Sequence, residues 1–83
     1  MAQFDRSDTY AKIVEIAAEK LNIDKTTITE QSTFQDLGAD SLDMVEFFMR
    51  LEELFGIEVK DNDVEQLQNV GQVVDYVHHL RTR

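Results

Sequence analysis

Met44, Phe47, Phe48, Leu51, Leu54 and Phe55 recur at i, i+3, i+4, i+7, i+10 and i+11, one continuous apolar stripe along a helix predicted over Ser41 to Phe55. Gly56 supplies the residue that ends it in a left-handed turn, letting Ile57 fold back. The same helix carries a second, weaker row, Leu42, Val45 and Met49, interleaved with Asp43, Glu46, Glu52 and Glu53. One stripe is enough to bury a helix. A second row ringed by acids has the makings of a docking surface, in which short apolar contacts hold a partner and carboxylates steer it.

Three further segments repeat the helical period or its end signals. Ile13, Ile16, Ala17 and Leu21 mark a first helix from about Asp8 to Leu21, and Val70, Val73, Val74, Val77 and Leu80 mark a terminal helix behind a cap at Asn69. Asp61 to Gln66 reads as a short helix. The connection from Asn22 to Asp40 is too long to be structureless in so small a chain, so Ile23, Ile28, Phe34 and Leu37 are expected to pack down. With no proline and three glycines among 83 residues, the expected fold is all-α. It is a four-helix bundle with three long helices, one short helix and a long first loop.

Length bounds this to a single domain, residues 1–83, with one modest core. The chain has no cysteine, so neither a disulfide framework nor a thiolate metal site is available. Its opening residues show no basic n-region or apolar h-region and no stretch reaches the length of a membrane span, so a cytoplasmic chain, or the mature form of an organellar one, without stable membrane insertion is expected, and it is taken as a monomer. Seventeen acidic residues against eight basic ones give a formal charge of −9. That charge repels nucleic acid and anionic lipid and favours protein partners that present Lys and Arg.

Gly38-Ala39-Asp40-Ser41-Leu42-Asp43 places one serine at the start of the second helix. Asp40 reads as the N-cap with Asp43 in the acidic position of a capping box, which leaves the Ser41 hydroxyl free. Helix N-termini carry partial positive charge, so a phosphodiester on Ser41 would sit in a favourable field. Asp-Ser before a helix is by itself no more than a capping signature.

Catalytic and metal readings fail on the residues. Ser41 lacks the flanking glycines of a nucleophile elbow, and the only histidines, His78 and His79, lie in the terminal helix. Asp61, Asp63 and Glu65 alternate like the start of a calcium loop, yet Gln66 stands at its sixth position and Gln72 at its twelfth. The adjacent histidines do not share a helix face, and with Arg81 and Arg83 they are expected to form a solvated basic end. No catalytic residue and no metal ligand is assigned.

Phe34-Gln35-Asp36-Leu37-Gly38-Ala39-Asp40-Ser41-Leu42-Asp43, followed by Val45-Glu46, Leu51-Glu52-Glu53 and Phe55-Gly56-Ile57, resembles the acyl carrier proteins of dissociated fatty acid synthesis. The likeness covers nearly the whole chain. It implies a carrier and not an enzyme: Ser41 would receive 4′-phosphopantetheine from coenzyme A through a phosphopantetheinyl transferase, and the arm's thiol would carry acyl groups as thioesters. It further implies recognition by basic docking patches on fatty acid synthesis enzymes and acyltransferases through Asp40, Leu42, Asp43, Val45, Glu46, Met49, Glu52 and Glu53. An acyl pocket would be lined by Phe47, Leu51, Val59, Leu67, Val73 and Tyr76.

Three departures bear on specificity. The segment between Phe34 and Leu37 is one residue shorter than in many fatty acid carriers, Lys60 stands where proline is common, and Arg50 adds a positive charge expected to pair with Glu46 one turn back. Gly-Ala-Asp-Ser favours an acyl over a peptidyl carrier. A polyketide or other specialised acyl carrier stays open, as does an unmodified acidic helical interaction module.

Overall fold

The computed structural model describes residues 5–82 as four α-helices: α1 Arg6–Leu21, α2 Ser41–Phe55, α3 Asp61–Val64 and α4 Val70–Thr82. A single 3-10 turn, Lys25–Thr27, interrupts the long first connection. Among the described residues there is no strand. One isolated antiparallel bridge joins Thr33 to Asn69.

Each helix end has a local chemical cause. α1 begins two residues before the predicted Asp8, because the Asp5 carbonyl accepts from the amides of Asp8 and Thr9 at 3.0 and 3.2 Å. It ends at Asn22, which takes the left-handed conformation at φ 56° that a short amide side chain tolerates. α2 closes on Gly56 at φ 65°, with the amides of Gly56 and Ile57 both donating to the Glu52 carbonyl. Such a closure turns the chain sharply toward α3. At the head of α4 the Asn69 side chain accepts from the Gln72 amide at 2.8 Å, while Gln72 Oε1 accepts from the amides of Gln68 and Asn69. α3 is one turn long, shorter than predicted, and has no side-chain cap.

α1 packs against both α2 and α4. The centre of the core is Ile13, Ala17, Leu51, Val70, Val73, Val74 and Val77, all fully removed from solvent. Phe47 bridges two other rings, its centroid 5.3 Å from those of Phe34 and Phe48. The long connection behaves as its apolar residues require: Ile28 and Phe34 are buried, and Ile23 and Leu37 pack half-buried against the core. Its backbone is then tied to α4, as the amides of Val70 and Gly71 donate to the carbonyls of Ser32 and Glu30.

The structure corrects two sequence expectations here. Leu54 shares the direction of Phe47 and Leu51 but lies in the last turn of α2, where the stripe reaches solvent and the side chain is 43% exposed. The C-terminal basic end is not solvated as a whole. The Arg81 side chain is nearly buried, with its guanidinium 4.6 Å from the centre of the Phe55 ring and Nη1 donating to Thr9 Oγ1 at 2.9 Å and Asp8 Oδ2 at 3.2 Å. His78 also turns inward, sharing a 3.0 Å hydrogen bond with Thr9, whereas His79 is exposed. Arg83 lies outside the described residues. A flat aromatic face and a buried hydroxyl together give the guanidinium a better environment than water alone.

Candidate functional site

Ser41 is the first residue of α2 and is exposed. Asp40, extended at φ −99° and ψ −177°, takes the capping role: its Oδ1 accepts from the Asp43 amide at 2.8 Å, and Asp43 Oδ2 accepts from the Asp40 amide at 3.2 Å. This reciprocal box satisfies two amides that the helix start would otherwise leave unpaired. The Ser41 hydroxyl is therefore not consumed by capping. It stands at the positive end of α2, where an attached anion is favoured.

The loop before Ser41 is held in shape from behind. Gly38 adopts φ 87°, which only glycine accepts without strain, and the amides of Gly38 and Ala39 donate to the carbonyls of Gln35 and Phe34. The Phe34 amide donates in turn to the Gln68 carbonyl, tying this loop to the segment that follows α3.

A cavity of about 690 Å³ opens beside Ser41. Phe34, Met44 and Phe48 form its inner wall, while Val59, Val64 and Leu67, from α3 and its flanks, form the opposite wall. Thr33, Gln35, Asp61 and Gln68 give its rim a polar character. Its apolar walls and polar rim suit an apolar guest with a polar end at the mouth.

Two polar ties hold the outer wall. The Val59 amide donates to Glu52 Oε2 at 2.9 Å, and the Tyr76 hydroxyl, from α4, donates to Asp63 Oδ2 at 2.8 Å. Burial, and then the bond to Asp63, push the Tyr76 phenol above its ordinary range, against a smaller opposing pull from the Lys60 backbone.

Along α2 the second row lies open to solvent, with Leu42, Val45 and Met49 each more than half exposed. Asp40, Glu46 and Glu53 are exposed, Asp43 is half-buried in its cap, and Glu52 is half-buried against the Val59 amide. Arg50 does not pair with Glu46 as expected. Its Nη1 lies 3.9 Å from Glu53 Oε2, a long contact between two exposed groups that contributes little.

The six residues assigned to a pocket by resemblance separate in the structure. Val59 and Leu67 line the cavity beside Ser41, but Phe47, Leu51 and Val73 are packed into the dry core, and Tyr76 lines a smaller surface depression near Ile57 and His79. The helical stripe tells which residues face inward, not which inward residues meet a gap. Met44, Phe48, Ala39 and Val64 line the cavity and were not singled out for it. Met44 and Phe48 stand at i and i+4 on the flank of the stripe nearer the exposed row, the one signal in the sequence that could have separated them. Among the described residues no group of three or more His, Asp and Glu is placed to hold a metal ion, and no helix is long and apolar enough to cross a membrane.

A family described as the phosphopantetheine attachment site matches residues 11–77, a span that includes Ser41 and both walls of the cavity. The chain is 46% identical over 79 residues to an acyl carrier protein of Rubrobacter xylanophilus, covering 94% of this chain and 98% of that one. Among solved structures it is similar to the acyl carrier protein of Enterococcus faecalis, with a TM-score of 0.78 and 33% identity over 93% of this chain and 99% of that one. The acyl carrier protein of Thermotoga maritima gives the same TM-score at 35% identity, covering 90% and 88% of the two chains. An exposed helix-start serine, an acidic helical bundle and these likenesses agree: the chain belongs to the family of phosphopantetheine-bearing acyl carrier proteins, which are carriers and not enzymes.

Proposed function

We propose that Ser41 is the attachment residue and that the whole chain, as one carrier domain, delivers growing acyl groups to the enzymes of fatty acid synthesis in the cytoplasm. The observation that carries this reading is the division of labour at the head of α2. Asp40 and Asp43 complete the cap between them, and Ser41 is left exposed at the mouth of a cavity. Attachment forms an O–P bond at Ser41 Oγ, breaks the pyrophosphate link of coenzyme A and releases the nucleotide half with the hydroxyl proton. The bound 4′-phosphopantetheine supplies the thiol that holds an acyl group as a thioester. This chain's own residues position it: the N-terminus of α2 stabilises the phosphodiester, and Phe34, Met44, Phe48, Val59, Val64 and Leu67 shelter the acyl chain. Phosphopantetheinyl transferase, synthesis enzymes and acyltransferases dock basic patches on Asp40, Asp43, Glu46, Glu52 and Glu53, around Leu42, Val45 and Met49.

Incubation with coenzyme A, magnesium and a broad-specificity transferase is expected to add roughly 340 Da to the chain. Ser41→Ala is expected to gain nothing while melting within about 1 kcal/mol of the native chain, because the cap is Asp40. Mass gain by the Ala variant would overturn the assignment.

A further inference from the structure

We propose that Glu52 is a clasp on the cavity wall, released when a cationic side chain of a docking partner takes its carboxylate. The inference deepens the carrier reading and rests on it. Glu52 belongs to two neighbourhoods at once. On α2 it follows Met49 by three residues and precedes Glu53, within the acidic row that faces basic partners, and it is half-buried where Glu46 and Glu53 are exposed. On its inner side Oε2 accepts the Val59 amide at 2.9 Å, across the turn at Gly56.

Val59 leads into α3, and with Val64 and Leu67 it makes the outer wall of the cavity. That wall has little stability of its own. A helix of four residues with no side-chain cap does not persist without tertiary support. Its support is the apolar contact of these three residues together with two polar ties, Glu52 to Val59 on one side and Tyr76 to Asp63 on the other. The Tyr76 tie comes from α4, away from the acidic row. The Glu52 tie comes from the docking helix itself.

An arginine or lysine arriving at Glu52 sets a full charge and several donors against the single dipole of the Val59 amide, and drawing the carboxylate outward to the partner takes Oε2 away from that amide. The Val59 amide then loses its acceptor, the lead-in to α3 swings about the Tyr76 tie, and the cavity opens toward the partner that has just docked. Opening is thereby confined to the moment of docking, which protects a sheltered chain the rest of the time.

Amide hydrogen exchange on the unmodified chain reads this clasp without reference to Ser41. Glu52→Gln keeps the acceptor oxygen and removes the charge, and Glu52→Ala removes both. In the absence of a partner, exchange at the backbone amides of residues 59–67 is expected to match the native chain in Glu52→Gln and to rise roughly 3- to 10-fold in Glu52→Ala, the range for one lost hydrogen bond. A short oligo-arginine peptide is expected to raise exchange over the same residues in the native chain and to leave Glu52→Gln unchanged. Unaltered exchange in Glu52→Ala, or an equal peptide effect in native and Glu52→Gln chains, would overturn the clasp. Failure of the mass shift at Ser41 would instead overturn the carrier reading and leave these exchange results standing.

Discussion

The seam between α1 and α4 and the gap between α2 and α3 are both lined by apolar side chains and are held in opposite ways. Along the seam, Ile13 and Ala17 meet Val70, Val73, Val74 and Val77 with no residue left in contact with water. Ion pairs reinforce its ends: Arg6 reaches Glu30 at 2.6 Å and Asp75 at 2.7 Å, and Asp8 is shared by Lys12 and Arg81. Across the gap, Met44, Phe48, Val64 and Leu67 rest on the core but line a cavity, and two side-chain hydrogen bonds, one from α2 and one from α4, add to the apolar contacts that hold its outer wall. A carrier needs both halves. One half holds the fold near its small net stability while the other keeps a space whose apolar lining packs against the core on one side only.

The largest effect should come from truncating a packed residue of the core that continues the seam onto α2. Leu51→Ala removes a side chain with no exposure at the centre of the bundle and is expected to cost about 2–5 kcal/mol, enough to leave a domain of this size partly unfolded. Leu67→Ala removes a leucine of the same volume from the cavity wall and is expected to cost clearly less, about 1 kcal/mol, because part of its surface already faces a void. Urea unfolding of the two variants tests the contrast. Equal losses would mean that the gap is as tightly packed as the core.

A smaller loss is expected at the C-terminal end of the seam. Arg81→Ala gives up the stack on Phe55 and the bond to buried Thr9, together about 2 kcal/mol. Arg81→Lys should recover only part of this, since an ammonium cannot lie flat on the ring while donating sideways to Thr9 and Asp8. Full recovery by lysine in a thermal melt would show that charge alone holds this end.

Arg81 also shows where the sequence stops being informative. Periodicity placed the stripe of α2 and the valines of α4 because repeated apolar positions have one direction along a helix. The Asp40–Asp43 box was legible because capping is decided within four residues of chain. Arg81, by contrast, meets Asp8 and Thr9 more than seventy positions away, and nothing local to a basic C-terminus says whether its charge is hydrated or stacked. The six residues assigned to a pocket by resemblance divide between cavity and core for a related reason. Phe47 and Phe48 are adjacent and both buried, yet only Phe48 also lines the cavity, a distinction made by which flank of the stripe looks toward α3. Glu52 reads as one more surface acid until the turn at Gly56 brings the Val59 amide to it.

The smallest effect, and the one that separates charge from packing at the seam, lies in its acid response. Hydrogen bonds from Arg6 hold the Glu30 carboxyl below its ordinary value of 4.5, and those from Lys12 and then Arg81 hold Asp8 below 3.8. Each group binds its proton less readily in the folded chain than in the unfolded one. The stability it contributes is therefore complete above the ordinary carboxylate values and is lost as pH falls through the lower folded ones. Arg6→Gln keeps much of the stem and removes the charge, so Glu30 returns toward its ordinary range and its share of that stability disappears at neutral pH. Because these side chains are well exposed, the gap between native and variant chains should be small and should shrink with added salt. Relief of repulsion among the other acids on protonation is common to both chains and cancels in the comparison. Urea midpoints are expected to differ most near about pH 7 and to converge toward about pH 3. A gap that stays constant across this range would place the contribution of Arg6 in its packing and leave the seam, like the core beneath it, indifferent to charge.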